Sequence, residues 1–158
     1  MPLEHERCND GNDNNVRGGR FNSYLNYGII KGEQWLCQKG QDNMDPSKYP
    51  YGGDHFVKLC PLWQLLLYYR EIVGGEKRDW YGDVAEIVRN TDESQLTNGQ
   101  LQLNFMRNTM DVVKEDLTDY FIKAGMLKPI DKELDDYARG QTTITQTDCD
   151  ELVKYASK

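Results

Sequence analysis

The sequence predicts a mainly α protein: a compact bundle of five or six helices behind a flexible lead-in, with residues 130–145 open to a loop or a short strand pair. Three observations predict it. Apolar residues recur at helical spacing in several separate stretches, cap-forming residues precede these stretches and glycines follow them, and no alternating run is long enough to announce a sheet. At 158 residues with 38% hydrophobic side chains, the chain can bury one core but not two, so 21–158 is expected to form one helical domain.

Residues 1–20 are mostly Asn, Asp, Gly and Arg, too few of them apolar to offset the entropy of ordering, so this stretch is read as the lead-in. Phe21, Tyr24, Leu25, Tyr27, Ile29, Ile30, Trp35 and Leu36 then suggest a helix disturbed by Gly28 and Gly32. Residues 40–53 hold Asp45-Pro46, Tyr49-Pro50 and Gly52-Gly53 and read as a turn-rich loop. Asp54 is placed to cap a helix running from Phe56 to Val73 and ended by Gly74-Gly75. That helix is apolar nearly all round, which predicts the central, buried one. Pro61 either kinks it or sits in the first turn of a second helix starting near Cys60.

Asp79 is expected to cap a short amphipathic helix with Trp80, Tyr81, Val84, Ile87 and Val88 on its inner side. Residues 90–98 are a polar connection, and 99–114 carry Leu101, Phe105, Met106, Met110, Val112 and Val113 on one broad helical face. Asp116 and Asp119 give the next helix an acidic first turn, Leu117, Tyr120, Phe121 and Ala124 its inner face, Gly125 its left-handed cap and Pro129 its stop. Residues 130–141 show no clear period. Thr145 or Thr147 then starts a last helix carrying Leu152, Val153 and Tyr155, with Asp148, Asp150 and Glu151 in its first turn.

A net charge of −7 is the wrong sign for a phosphate backbone, so nucleic acid is not an expected partner. The most apolar stretch, 59–69, is interrupted by Gln64 and is far shorter than the ~20 residues of a membrane-spanning helix. Residues 1–7 carry acids and no apolar run, so no secretory leader is expected within this chain. The four cysteines, Cys8, Cys37, Cys60 and Cys149, form no C-x-x-C pair, and Cys60 and Cys149 read as small buried hydrophobes.

Chemistry is hard to find among these residues. A helical zinc site needs two histidines four apart with a glutamate between, and this chain has only His5 and His55. His5-Glu6 starts such a motif, but Asn9 breaks it; a set of His5, Cys8, His55 and Cys60 has short spacings, yet Cys60 belongs to an apolar helix. The stretch from Asp13 to Gly18 resembles the start of a calcium loop, but Arg17 replaces an oxygen ligand and Tyr24 stands where a bidentate Glu is needed. Gly18-Gly19 and Gly74-Gly75 lack the residues that turn a glycine pair into a phosphate cradle, and neither His has a nucleophile in a recognisable elbow. Asp135-Asp136 and Asp148 with Asp150 are expected as solvated faces or helix first turns, and Trp35, Trp63 and Trp80 as core rather than as a sugar platform. No catalytic residue and no metal ligand is therefore assigned to this chain.

Two stretches carry a family likeness. Residues 55–69, H-F-V-K-L-C-P-L-W-Q-L-L-L-Y-Y, resemble the F-x-K-L-x-P-x-W-Q-L-x-L-Y segment downstream of the zinc site in the enhancin-like, mucin-targeting metallopeptidases, peptidase family M-sixty. Leu103-Asn104-Phe105 and residues 116–127, D-L-T-D-Y-F-I-K-A-G-M-L, resemble that family's L-N-F and L-T-D-F-F-x-K-W-G-F region in the same order. Ala124 and Met126 depart from the family's Trp and aromatic, and Ile144-Thr145-Gln146 resembles the end of such proteins in Bacteroides-type gut bacteria. The resemblance, over roughly 21–158, implies the non-catalytic helical lobe of a zinc metallopeptidase acting on mucin-like glycoproteins, exported or at the cell surface. It implies that zinc and H-E-x-x-H lie in an upstream catalytic half, and that this chain is inactive alone. The alternative is a free-standing helical module that binds glycan or protein. A lobe without its other half should expose an apolar patch, expected here around Tyr24 to Trp35.

Overall fold

In a computed structural model of the chain, the structure describes residues 24–38, 55–134 and 140–158. The lead-in, the 40–53 loop, Asp54 and Asp135-Asp136 lie outside the described residues. The fold is mainly helical, with one antiparallel strand pair.

A π-helical segment, Tyr24–Ile30, contains Gly28 and is followed by Gly32 at φ 65°, which breaks the expected helix there. A 3-10 turn, Trp35–Cys37, follows. Helix α1, His55–Leu67, holds Pro61 in its interior, so no second helix starts near Cys60, and it widens into a π-helical turn, Tyr68–Val73, that ends at Gly74 with φ 65°. Helix α2 is Trp80–Arg89 and helix α3 is Asn98–Val113. The Thr97 side chain accepts from the Gln100 N–H while the Gln100 side chain accepts from the Thr97 N–H, a reciprocal box that fixes the start of α3. Helix α4, Thr118–Lys123, starts two residues after Asp116, whose carboxylate accepts from both the N–H and the hydroxyl of Thr118. Gly125, at φ 76°, ends it in the left-handed conformation expected of it.

Strands β1, Ile130–Leu134, and β2, Gly140–Ile144, pair Ile130 with Ile144 and Leu134 with Gly140. Of the two readings for this region, the strand pair is the one that forms. Helix α5, Gln146–Ala156, starts from Thr145, again with a reciprocal cap, here with Asp148. No helix among the described residues is long and apolar enough to cross a membrane.

The core gathers Tyr24, Val57, Leu65, Tyr69, Trp80, Val84, Met106, Met110, Val113, Phe121, Met126, Leu134, Ile144 and Leu152. Trp80 lies at its centre, its ring 6.3 Å from that of Tyr69 and 6.5 Å from that of Phe105. Two expectations are corrected here. Helix α1 is not buried all round: Leu59, Trp63 and Leu67 are exposed, because the described chain packs against one side of it. In α2 only Trp80 and Val84 are buried, and Tyr81, Ile87 and Val88 face outward, since a ten-residue helix resting on α3 seals a narrower stripe than its apolar content suggests.

Candidate functional site: the two sides of helix α1

The most distinctive sequence of the chain lies on α1, and its two sides do different work. On the inner side, a residue without an N–H interrupts the helical ladder at Pro61, and donors from elsewhere in the chain reach carbonyls nearby. The indole N–H of Trp35 donates to the carbonyl of Lys58 at 2.7 Å, and the hydroxyl of Tyr120, on α4, reaches the carbonyl of Pro61 at 2.7 Å. One turn on, Gln64 Oε1 lies 3.0 Å from the hydroxyl of Tyr24 and 3.1 Å from that of Tyr120. Three aromatic side chains from separate elements therefore hold α1 in register. Burial, first of all, pushes the Tyr120 and Tyr24 phenols above their ordinary value, with the neighbouring Cys60 adding to the shift. The shift favours the protonated phenols, the form that donates to Gln64 and to the Pro61 carbonyl.

The outer side is bare. Leu59, Trp63 and Leu67 recur every fourth residue along one line of the helix, and Trp63 is 59% exposed. Ile72, in the π-helical turn, is 74% exposed, and Val73 and Tyr68 border it. Arg70 and Glu71 form an exposed ion pair beside this strip, at 3.3 Å. The tryptophan expected in the core at 63 is therefore a surface residue, whereas Trp80 is buried and Trp35 half-buried as read from the sequence.

Of the expected patch at Tyr24 to Trp35, Tyr24 is fully buried and Trp35 half-buried against the core, the side chain of Tyr27 lies outside the described residues, and Ile29 and Ile30 are the large apolar side chains exposed among those described there. Sequence reading missed the α1 strip because all-round apolarity was taken for all-round burial; the four-residue repeat of 59, 63 and 67 was the available signal.

Among the described residues no group of three or more His, Cys, Asp or Glu side chains is placed to hold a metal ion. His5, Cys8 and the side chain of His55 lie outside the described part, and Cys60 is half-buried against the core. Cys149 is buried as expected, and burial raises its thiol pKa. Asp148 caps α5, and Asp150 accepts from Gln146. An open surface groove of about 390 Å³ is lined by Asp111, Glu115 and Asp116, but each carboxylate is already engaged. Asp111 accepts from Tyr155, Glu115 from Tyr69 and Lys77, and Asp116 from Thr118.

No protein-family model matches the sequence, and no curated protein matches it. Solved structures do share its fold. A metallopeptidase in complex with Tn antigen superposes with a TM-score of 0.65 at 20% identity, over 85% of this chain and 24% of that one. A metallopeptidase from Bacteroides thetaiotaomicron superposes with a TM-score of 0.66 at 20% identity, over 85% of this chain and 22% of that one. The chain thus spans less than a quarter of the length of these metallopeptidases, and what it shares with them is the fold of one segment.

Proposed function

We propose that this chain is the helical, non-catalytic lobe of a zinc metallopeptidase that acts on mucin-like glycoproteins, supporting a zinc-bearing half held elsewhere in a longer polypeptide. The observation that carries the reading is the fold match, 85% of this chain on less than a quarter of each metallopeptidase. The order of the two motif segments on α1 and on α3–α4 supports it, since both lie within the helical framework described above. Tn antigen is a sugar-bearing amino-acid unit of mucin-type glycoproteins, and its presence in one neighbour supports the substrate class.

Among the described residues of this chain, no set of side chains is placed to hold zinc. The sequence has no H-E-x-x-H, and the described side chains bring together no ligand set, so no catalytic step is assigned to it. Its part in the reaction is architectural. A rigid lobe with α1 pinned by Trp35, Tyr24 and Tyr120 can hold one wall of a cleft in a fixed position, which is how a scaffold serves a catalytic group it does not carry.

The test is direct. The purified 158-residue chain, supplied with zinc, is incubated with a mucin-type O-glycoprotein, and fragments are sought by mass spectrometry. No cleavage is expected. Zinc-dependent cleavage by this chain alone would overturn the reading. Binding of the chain alone to isolated glycans at Trp63, read on a glycan array, would favour the free-standing binding module instead.

A further inference from the structure

Resting on that reading, we infer that the outer strip of α1, formed by Leu59, Trp63, Leu67 and Ile72, is the surface on which the zinc-bearing part of the longer peptidase chain packs. With Tyr68 and Val73, these residues leave about three large side chains' worth of surface uncovered, on the order of 600 Å² at roughly 200 Å² per side chain. That is at the top of the ~300–600 Å² usual for the largest apolar patch of a monomer and close to the ~800 Å² each partner buries in a standard interface.

Four observations select the occupant. The same fold occurs as under a quarter of longer chains, so in those proteins most of the polypeptide lies outside this segment and is available to cover its faces. The strip is aliphatic on both sides of its one indole, with Leu59 and Leu67 each four residues away, which suits an apolar protein face better than a polar sugar ring. A second copy of this chain is disfavoured because each copy carries a net charge of −7. Finally, the helix is pinned from behind at Lys58, Pro61 and Gln64, so its outer face is already ordered before contact, and little further ordering opposes docking. An apolar face of the covalently joined catalytic half meets all four conditions.

Hydroxyl-radical footprinting of the protein isolated from its source cells, read by mass spectrometry, tests this with standards inside the molecule. Trp80 is fully buried and Tyr81 is 52% exposed, so they mark covered and open aromatic rings. A product longer than 158 residues in which Trp63 labels at least fivefold less than Tyr81, near the level of Trp80, is the expected result. A longer product in which Trp63 labels like Tyr81 overturns the docking surface and leaves the peptidase reading standing. A product of only 18.3 kDa overturns the peptidase reading itself, and the docking surface with it. Protection of Trp63 that disappears on dilution identifies a second copy as the occupant and overturns the inference.

Discussion

Gly125 joins the end of α4 to the segment that carries Trp35, and replacing it with alanine should be costly for two separable reasons. Its φ of 76° is a left-handed conformation in which a Cβ is strained, a cost of about 1–2 kcal/mol. Independently, a Cβ at this position would fall 2.1 Å from the carbonyl oxygen of Glu33 and 3.1 Å from the Trp35 nitrogen, both main-chain atoms that cannot swing aside. The 33–38 segment would have to retreat by more than 1 Å to restore ordinary contact, weakening the Trp35 N–H bond to the Gly125 carbonyl at 2.7 Å and the Gln38 side-chain bond to the Ala124 carbonyl at 2.8 Å. At about 1 kcal/mol for each bond, the whole change is about 3–4 kcal/mol, or roughly 6–16 °C in melting temperature for a chain of this size. Gly74 is the control for space: nothing lies within 4 Å of the added atom, so Gly74→Ala should show a backbone cost alone, about 1–3 kcal/mol for a φ of 65° and ψ of −153°, a region essentially kept for glycine. Urea unfolding followed by tryptophan fluorescence measures both. Equal losses in Gly125→Ala and Gly74→Ala would show that the close approach of Glu33 is not the reason a glycine stands at 125.

Other outcomes follow from the same structure. Gly99→Ala would place a Cβ 1.9 Å from the main-chain oxygen of Thr143, so α3 and the strand pair must separate; a loss of about 2–3 kcal/mol in urea unfolding is expected, and unchanged or higher stability would contradict the close approach. Tyr120→Phe removes the hydroxyl that reaches the Pro61 carbonyl and Gln64, with an expected loss of about 1–2 kcal/mol; a neutral result would show that this bond does not anchor α1. The bond to Lys77, aided by that from Tyr69, holds the Glu115 carboxyl below its ordinary value, and Thr145 does the same for Asp148. The unfolded chain therefore binds more protons in the carboxylate range, and this stability is complete above a pH of about 4.5 and lost as pH falls through the depressed folded values. Thermal melts between pH 7 and 3 should show a shallower acid slope for Glu115→Gln, and an identical slope would dismiss the contribution of Glu115.

How much of this was legible depended on whether a feature is local. The reciprocal cap at Thr145 and Asp148, the left-handed Gly125 and the helical face around Met106 and Met110 follow from neighbours within one or two turns, and they stand where the sequence placed them. The strand pair was only half visible because β1 reads Ile-Asp-Lys-Glu-Leu, buried at its ends and polar between, so it lacks the alternation that announces a strand. Its packing on α3 involves Gly99, more than thirty residues earlier, where the Thr143 carbonyl approaches closely. The tie between Trp35, Tyr24, Tyr120 and Gln64 was invisible for the same reason: it joins residues up to 59 positions apart around a proline whose effect is felt by its partners.

The same distinction explains why the sequence did not point to the outer strip of α1. Hydrophobic periodicity reports how many sides of a helix must leave water, not which molecule covers them. Helix α1 carries Val57, Leu65 and Tyr69 toward the core and Leu59, Trp63 and Leu67 away from it, so its sequence is written for two apolar environments, of which this domain supplies one. Tyr24 and Trp35, rich in aromatic character but placed on one side of their segment, are used up by the domain's own core. A helix whose inner face is tied by side-chain hydrogen bonds and whose outer face is apolar has the properties of a joint between two parts of a larger fold, and in that role the residue to watch is Trp63.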